Sequence, residues 1–543
     1  MKTMKNIKNK VLLLLGLFGM FFCACDDADF LDKQPIDFLA PDNISSSRDI
    51  EEAVNGIYSS YISDPLEPII TDFFTDNGIQ STYIEIWNGS FNNENTFVET
   101  KWVRNYKMIL RANTVLDNID NIELSEEKYN QFKGEATFMR ALAYLDLTEF
   151  YGGVPLRIRV ESLAEANKPI TPKNDIVDFI LNELETASDL LPIEYSASDK
   201  GRATKGAALA IKARVLLYNK MYDQAAIYCQ KVKDLGKYSL MDDYELLFLP
   251  EGEASNNETI FDMQFIENQS DLALSSVWNT YFLLFGSYAA TRNLHDEFYS
   301  TNGLSIKDPL NTLYDPSVNP DVLSPNYIGK QEGIYDNRFT NRDPRMNSTI
   351  VVPYSVFRYT RANESPEVFI PASHGRNTPV GFKVRKHIDY SNKWEHRVSG
   401  VNPIIVRYAD ILLMEAEALI ESGDYDETYV SNLINEVRQR ASVMMPKVQD
   451  VEGTGLSQNE LRQIVRHERR VEFAFEGLRF FDIKRWDIGA TALTTVKGYR
   501  IESLTTSSAA YEEYDYLTAT FDPSRSYLWP IPKVETDSNT EIN

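Results

Sequence analysis

The sequence predicts a mainly α-helical protein in which paired helices frame a loop-rich stretch of minor β content. Three observations carry that prediction. Apolar residues recur at three- and four-residue steps through residues 49–240, and again from about 401. One helix-turn-helix pattern occurs twice. Between residues 241 and 400, Asn, Gly, Pro, Ser and Asp interrupt short β-prone pieces such as TIVVPYSVFRYT every few residues.

Taken in order, residues 1–24 form a leader. Lys2, Lys5, Lys8 and Lys10 precede VLLLLGLFGMFF, a run of signal-peptide length and too short for a comfortable membrane span. It ends at Cys23-Ala24-Cys25, which resembles a bacterial lipobox. Cys25 is the expected lipidation site; Cys23, after the bulky Phe22, is the alternative, and a plain secretory leader is the other reading. Residues 25–48 read as an acidic, Pro-punctuated tether. Helical patterning begins near Ile50. In KWVRNYKMILRANTVLDNI, Trp102, Tyr106, Ile109, Asn113 and Leu116 share one helix face. KGEATFMRALAYLDLTEFYGGVPL reads as a long Ala-rich helix stopped by Gly152-Gly153, with Pro155 beyond. Two more helices follow in DIVDFILNELETASDLLP and TKGAALAIKARVLLYNKM. Helix returns from Ile404 to about Arg485, and the tail from Gly498 reads mostly as coil.

The repeated unit aligns KARVLLYNKMYDQAAIYCQKV with EAEALIESGDYDETYVSNLINEV, so that Ala213 matches Ala416 and Tyr222 matches Tyr425. Small residues let two helices approach and a turn aromatic covers the seam, as in tetratricopeptide pairs. Thr428 stands where the first copy has Ala225, so the second copy is degenerate.

Composition narrows the function. The formal net charge of −25 argues against a nucleic-acid partner, because phosphate binding needs a basic face. Cys229 is the third of three cysteines, and after leader removal it lies alone in the apolar AAIYCQKV, where a buried small hydrophobe is expected. His467-Glu468 lacks the second histidine of a zincin, since Val471 occupies its place. There is no GxSxG, Walker loop or dinucleotide fingerprint, so no metal and no cofactor is expected.

The densest motif is RHERRVEFAFEGLRFFDIKRWD, from Arg466 to Asp487. Read as one helix, it carries a core stripe of Val471, Phe475, Leu478 and Phe481, with Glu468, Glu472 and Glu476 stacked beside it. Glu476 then reaches Arg479, Arg479 reaches Asp482, and Asp482 reaches Arg485. Gly477 costs such a helix about 1 kcal/mol, which implies that another backbone passes close. Paired carboxylates are also the currency of glycoside hydrolysis. With an arginine in reach of each acid, the stretch reads as a charge-satisfied structural network.

The same stretch resembles the C-terminal hallmark of the SusD/RagB family of nutrient-uptake lipoproteins. Glu468, Arg469, Glu472, Glu476, Gly477, Arg479, Asp482, Arg485 and Trp486 match it. Other landmarks follow the family order: LDKQP after the lipobox, the Trp102 helix, RALAYLDLTEFYGGVPL, Asp343-Pro344-Arg345, RYADILLMEAEAL from Arg407, Asn435 to Ala441, and Pro530-Ile531-Pro532. The resemblance spans nearly the whole chain. It implies a tetratricopeptide-like superhelix whose irregular segments form the ligand face, divided as an N-terminal helical region (49–240), a mixed region (241–400) and a C-terminal region with its tail (401–543). It also implies a non-enzymatic, lipid-anchored protein of the outer-membrane surface. Such a protein binds oligosaccharide and delivers it to a SusC-like TonB-dependent β-barrel. The alternatives are a surface glycoside hydrolase and a tetratricopeptide-type protein scaffold.

A sugar ligand is expected to stack on aromatic rings from the irregular regions. Trp102, Trp486 and Trp529 lie in frame motifs and are expected in the core. Trp87, Trp278 and Trp394 remain as ligand candidates, with Tyr281 beside Trp278. Trp87 leads, because Tyr83 is near and Asn88, Asn92 and Asn93 offer uncharged hydrogen bonds. The alternative for each ring is packing beneath a loop, and for Trp278 that is the favoured reading.

Overall fold

A computed structural model describes residues 44–63, 67–266, 288–314, 339–352, 356–359, 366–368, 380–388, 399–501 and 511–542. Among the described residues, six helices of three turns or more build the N-terminal half: α1 (Ser47–Tyr61), α2 (Thr96–Asn118), α3 (Glu126–Tyr151), α4 (Lys173–Leu190), α5 (Lys205–Tyr218) and α6 (Tyr222–Asp234). Four of the starts carry a side-chain cap. Ser46 and Asp49 close a capping box on α1, while Asn95, Ser125 and Thr204 cap α2, α3 and α5. Gly152, at φ 77°, ends α3 where the sequence placed the stop. Successive helices pack as neighbours, and α6 lies against α7 (Tyr408–Ser422), which carries the succession into the C-terminal half. There α7 packs on α8 (Glu427–Arg438) and on α9 (Gln458–Glu472), which opens with a Ser457–Glu460 capping box.

The two expected helical pairs are present. Ala213 and Ala416 are fully buried at the seams, and Tyr222 and Tyr425 pack half-buried at the turns. Ala225 is buried while Thr428 is exposed, which accounts for the degenerate match. Cys229 is buried in α6, and burial pushes its thiol pKa up.

The mixed region supplies short strands. β1 (Gly78–Gln80), β3 (Tyr288–Ala290), β7 (Phe382–Val384) and β4 (Ile350–Val351) form an antiparallel sheet in that spatial order. β2 (Thr259–Asp262) pairs with β8 (Ile404–Arg407), and β5 (Val356–Tyr359) pairs with β6 (Pro366–Val368).

Three sequence expectations change. Residues Ile404–Arg407 are strand, and helix starts at Tyr408. The tail carries a hairpin of β9 (Thr495–Ile501) and β10 (Tyr511–Thr518). Gly498 is no breaker: a Cβ there would stand 2.9 Å from the Val380 Cα, so glycine permits a close backbone approach within the strand. Finally, the Arg466–Asp487 stretch is two helices. α9 stops at Glu472, an elbow has Phe475 at φ 61° and Gly477 at φ 76°, and α10 runs over Arg479–Arg485.

Candidate functional site: an ionic frame and the loop corner above it

The motif carboxylates on both sides of the elbow enter one buried ionic frame. Arg345 reaches Asp343, Glu468 and Glu472 at 2.6–2.7 Å. Arg407 grips Glu258 at 2.7 Å, Glu472 at 2.8 Å and Glu476 at 2.7 Å. Arg440 bridges Glu258 and Glu472, and Lys386 meets Glu476. On the far side of α9, Arg469 joins Asp410 and Asp482, while Arg485 and the Trp486 indole N–H donate to Glu417. All these residues are buried except Arg485, which is half-buried.

The expected charge-satisfied network is therefore present, but its pairs span elements. Asp482–Arg485 forms as expected at three-residue spacing. Glu476 turns to Arg407 and Lys386, and Arg479 turns to Asp76, because the elbow breaks the helical spacing. Motifs far apart in sequence converge here. Glu258, Lys386 and Asp76 escaped the sequence reading because they lie in irregular stretches without a motif.

This electrostatics opposes hydrolysis. Burial works to raise the Glu472 pKa, but Arg407, Arg440 and Arg345 outweigh it and hold the carboxyl well below the ordinary range. Glu468 is likewise lowered by Arg345 and Arg438 against the effect of burial. A glycosidase acid needs the reverse shift, with its carboxyl protonated beside the scissile bond. Among the described residues no group of three or more metal-ligating side chains is clustered for an ion.

The ring candidates divide. Trp102, Trp529 and Trp486 are buried as expected. Trp87 is also buried, at 1% exposure, and this corrects its assignment as the leading ligand ring. It closes a one-turn helix, Ile84–Trp87, that folds the ring onto Ile79, Ala289, Val380 and Val496. Its indole N–H donates to the Thr75 carbonyl at 3.3 Å. Tyr83 is half-buried against Phe74, Phe97 and Tyr288. Asn88 and Asn92 use their side-chain oxygens in tight local turns, accepting from the Ser90 and Glu94 amides. The Asn93 backbone carbonyl accepts from the Lys533 amide. Trp278, Tyr281, Trp394 and Cys25 lie outside the described residues.

Gln80, which leads into Ser81–Asn93, pairs with Tyr288 of β3. Val380 accepts from the Tyr499 amide of β9. Trp87 is thus the apolar floor of the corner where β1, β3 and β9 come together.

The SusD family profile matches residues 255–543, and a profile described as "Starch-binding associating with outer membrane" matches residues 29–217. The chain belongs to the SusD family. SusD-like protein P2 of Formosa agariphila is 26% identical, over 98% of this chain and 97% of its own length. The crystal structure of a SusD-like protein from Bacteroides fragilis superposes with a TM-score of 0.78 at 27% identity, covering 94% of this chain and 99% of that one. A second B. fragilis structure, of a SusD-like carbohydrate-binding protein, gives a TM-score of 0.76 at 26% identity, covering 92% and 99%. The SusD hallmark thus works here as frame: its acids and arginines lock the elbow.

Proposed function

We propose that the protein is a non-catalytic, cell-surface glycan-binding lipoprotein that captures an oligosaccharide and hands it to a SusC-like TonB-dependent transporter. The observation that carries this reading is the similarity, over nearly the whole chain, to a B. fragilis SusD-like carbohydrate-binding protein. The buried, arginine-matched acids of the frame favour a binder over a hydrolase. In this reading Trp278, Tyr281 and Trp394 supply stacking rings, with Tyr83 and Asn88 as further contacts. Cys25 carries the lipid, and the acidic residues after it form the tether. Incubation with a panel of purified glycans tests the proposal: a retained oligosaccharide without cleavage products is expected. Released fragments would establish a hydrolase, and neither binding nor cleavage would favour a protein scaffold.

A further inference from the structure

The acids of the ionic frame face arginines or lysines, whereas Asp262 is held by an amide. It ends β2 at 7% exposure, and its two carboxylate oxygens accept from the Gln264 side-chain nitrogen at 2.9 and 2.8 Å. Gly201, at φ 92°, makes room for that clamp, since a Cβ there would stand 2.3 Å from Gln264 Cγ. Asp262 lines a cleft of about 340 Å³ between the α4–α5 connection, the chain beyond α6 and the approach to β2.

The walls of the cleft are chemically spare. Tyr195 and Tyr238 line it half-buried. Their hydroxyls are engaged, with Glu135 and with Thr204 of the cleft wall respectively, both at 3.4 Å, so each offers the cleft mainly its ring. Two ion pairs at the rim cancel their own charge, Lys200 with Glu253 at 2.5 Å and Lys237 with Glu194 at 2.6 Å. Arg202 is spent on Glu135 and Asp199, each at 3.0 Å. What remains is one acceptor carboxylate between aromatic and neutral walls. An anion would be repelled there. A polyol fits: its hydroxyls donate to the open lone pairs of Asp262 while its C–H face lies on a tyrosine ring.

We infer that this cleft is a second saccharide subsite, sized for a terminal sugar ring or two, in which Asp262 accepts ligand hydroxyls and Tyr195 forms the stacking wall. Its residues are separate from the aromatic candidates of the loop corner. A long glycan touching both places would gain avidity without tighter contacts at either. The inference rests on the carbohydrate reading above.

Hydroxyl-radical footprinting of the wild-type protein, read at Tyr195 and Tyr238, tests it with glucose, galactose, mannose, xylose, maltose and cellobiose as probes and putrescine as a cationic control. At least one sugar should protect both tyrosines in a saturable manner. Asp262→Ala should weaken that protection by about tenfold or more, the worth of one charge-assisted hydrogen bond. Trp278→Ala should leave it intact. The wild-type measurement stands even where the Asp262 variant folds poorly. Oligosaccharide binding elsewhere without protection of these tyrosines would overturn the subsite alone. Tyrosine protection with no loss of glycan affinity in Trp278→Ala and Trp394→Ala would instead overturn the loop-corner assignment. Protection by putrescine and by no sugar would overturn the ligand class.

Discussion

Trp87 and Asp262 are both buried, with opposite consequences. Removing the Trp87 ring would empty a well-packed corner among Ile79, Ala289, Val380 and Val496. Trp87→Ala should therefore cost about 3–5 kcal/mol of stability, read by chemical denaturation. Glycan affinity of the protein that remains folded should be unchanged. Asp262 costs stability in the native state. Burial pushes its carboxyl up to about 7 from the ordinary 3.8, with Gln264 pulling only part of the way back. Between those values the folded protein holds a proton that the unfolded chain has released, so stability falls as pH rises and the penalty is complete above the window. Asp262→Asn should raise the melting temperature near about pH 8, and the gain should shrink toward zero near about pH 4. A gain of equal size at both pH values would show that charge is not the cause. A position kept at such a cost is a natural place to look for a ligand. Neither environment was legible from the residues alone. Trp87 looked available because Asn-rich turns follow it, while the partners that bury it, Ala289, Val380 and Val496, come from distant segments.

Helices were legible because their signals are local: the three- and four-residue apolar spacing and the Gly152 stop act within a few residues. The elbow between α9 and α10 was hidden because Val471, Phe475 and Leu478 keep helical spacing straight through it. Gly477 was the visible clue. Its amide donates to Asp72 at 2.6 Å, and a Cβ would stand only 1.7 Å from the Pro68 carbonyl oxygen. Gly477→Ala should cost more than the roughly 1–3 kcal/mol of left-handed strain alone, since the Pro68 backbone must also move. Urea titration checks this, and a near-neutral result would mean that the elbow is not fixed by that approach. The β9–β10 hairpin was missed for a related reason. Gly498 signals a turn by composition, while its role depends on Val380, more than a hundred residues away.

Across the molecule, the family motifs are the points where distant segments bind one another, which is why the frame was readable and the ligand face was not. Charge pairs need specific partners, whereas a sugar-stacking ring needs only a place in a loop. Lipidation at Cys25 remains the expectation for anchoring: Cys25→Ser should move the protein from the membrane fraction to the soluble one, followed by fractionation and immunoblot. Retention of a lipidated, surface-displayed product would assign the anchor to another residue. Gentle detergent extraction followed by pull-down should recover a large β-barrel protein, and its repeated absence would remove the transporter from the proposal.

Two long ties at the elbow set an order of events during synthesis. The Thr71 hydroxyl donates to the Gly477 carbonyl across 406 positions, and Asp76 waits across 403 for the Arg479 guanidinium. A nascent chain therefore carries the early half of these pairs for most of translation with nothing to close them. The elbow therefore cannot close until the hallmark stretch has been made.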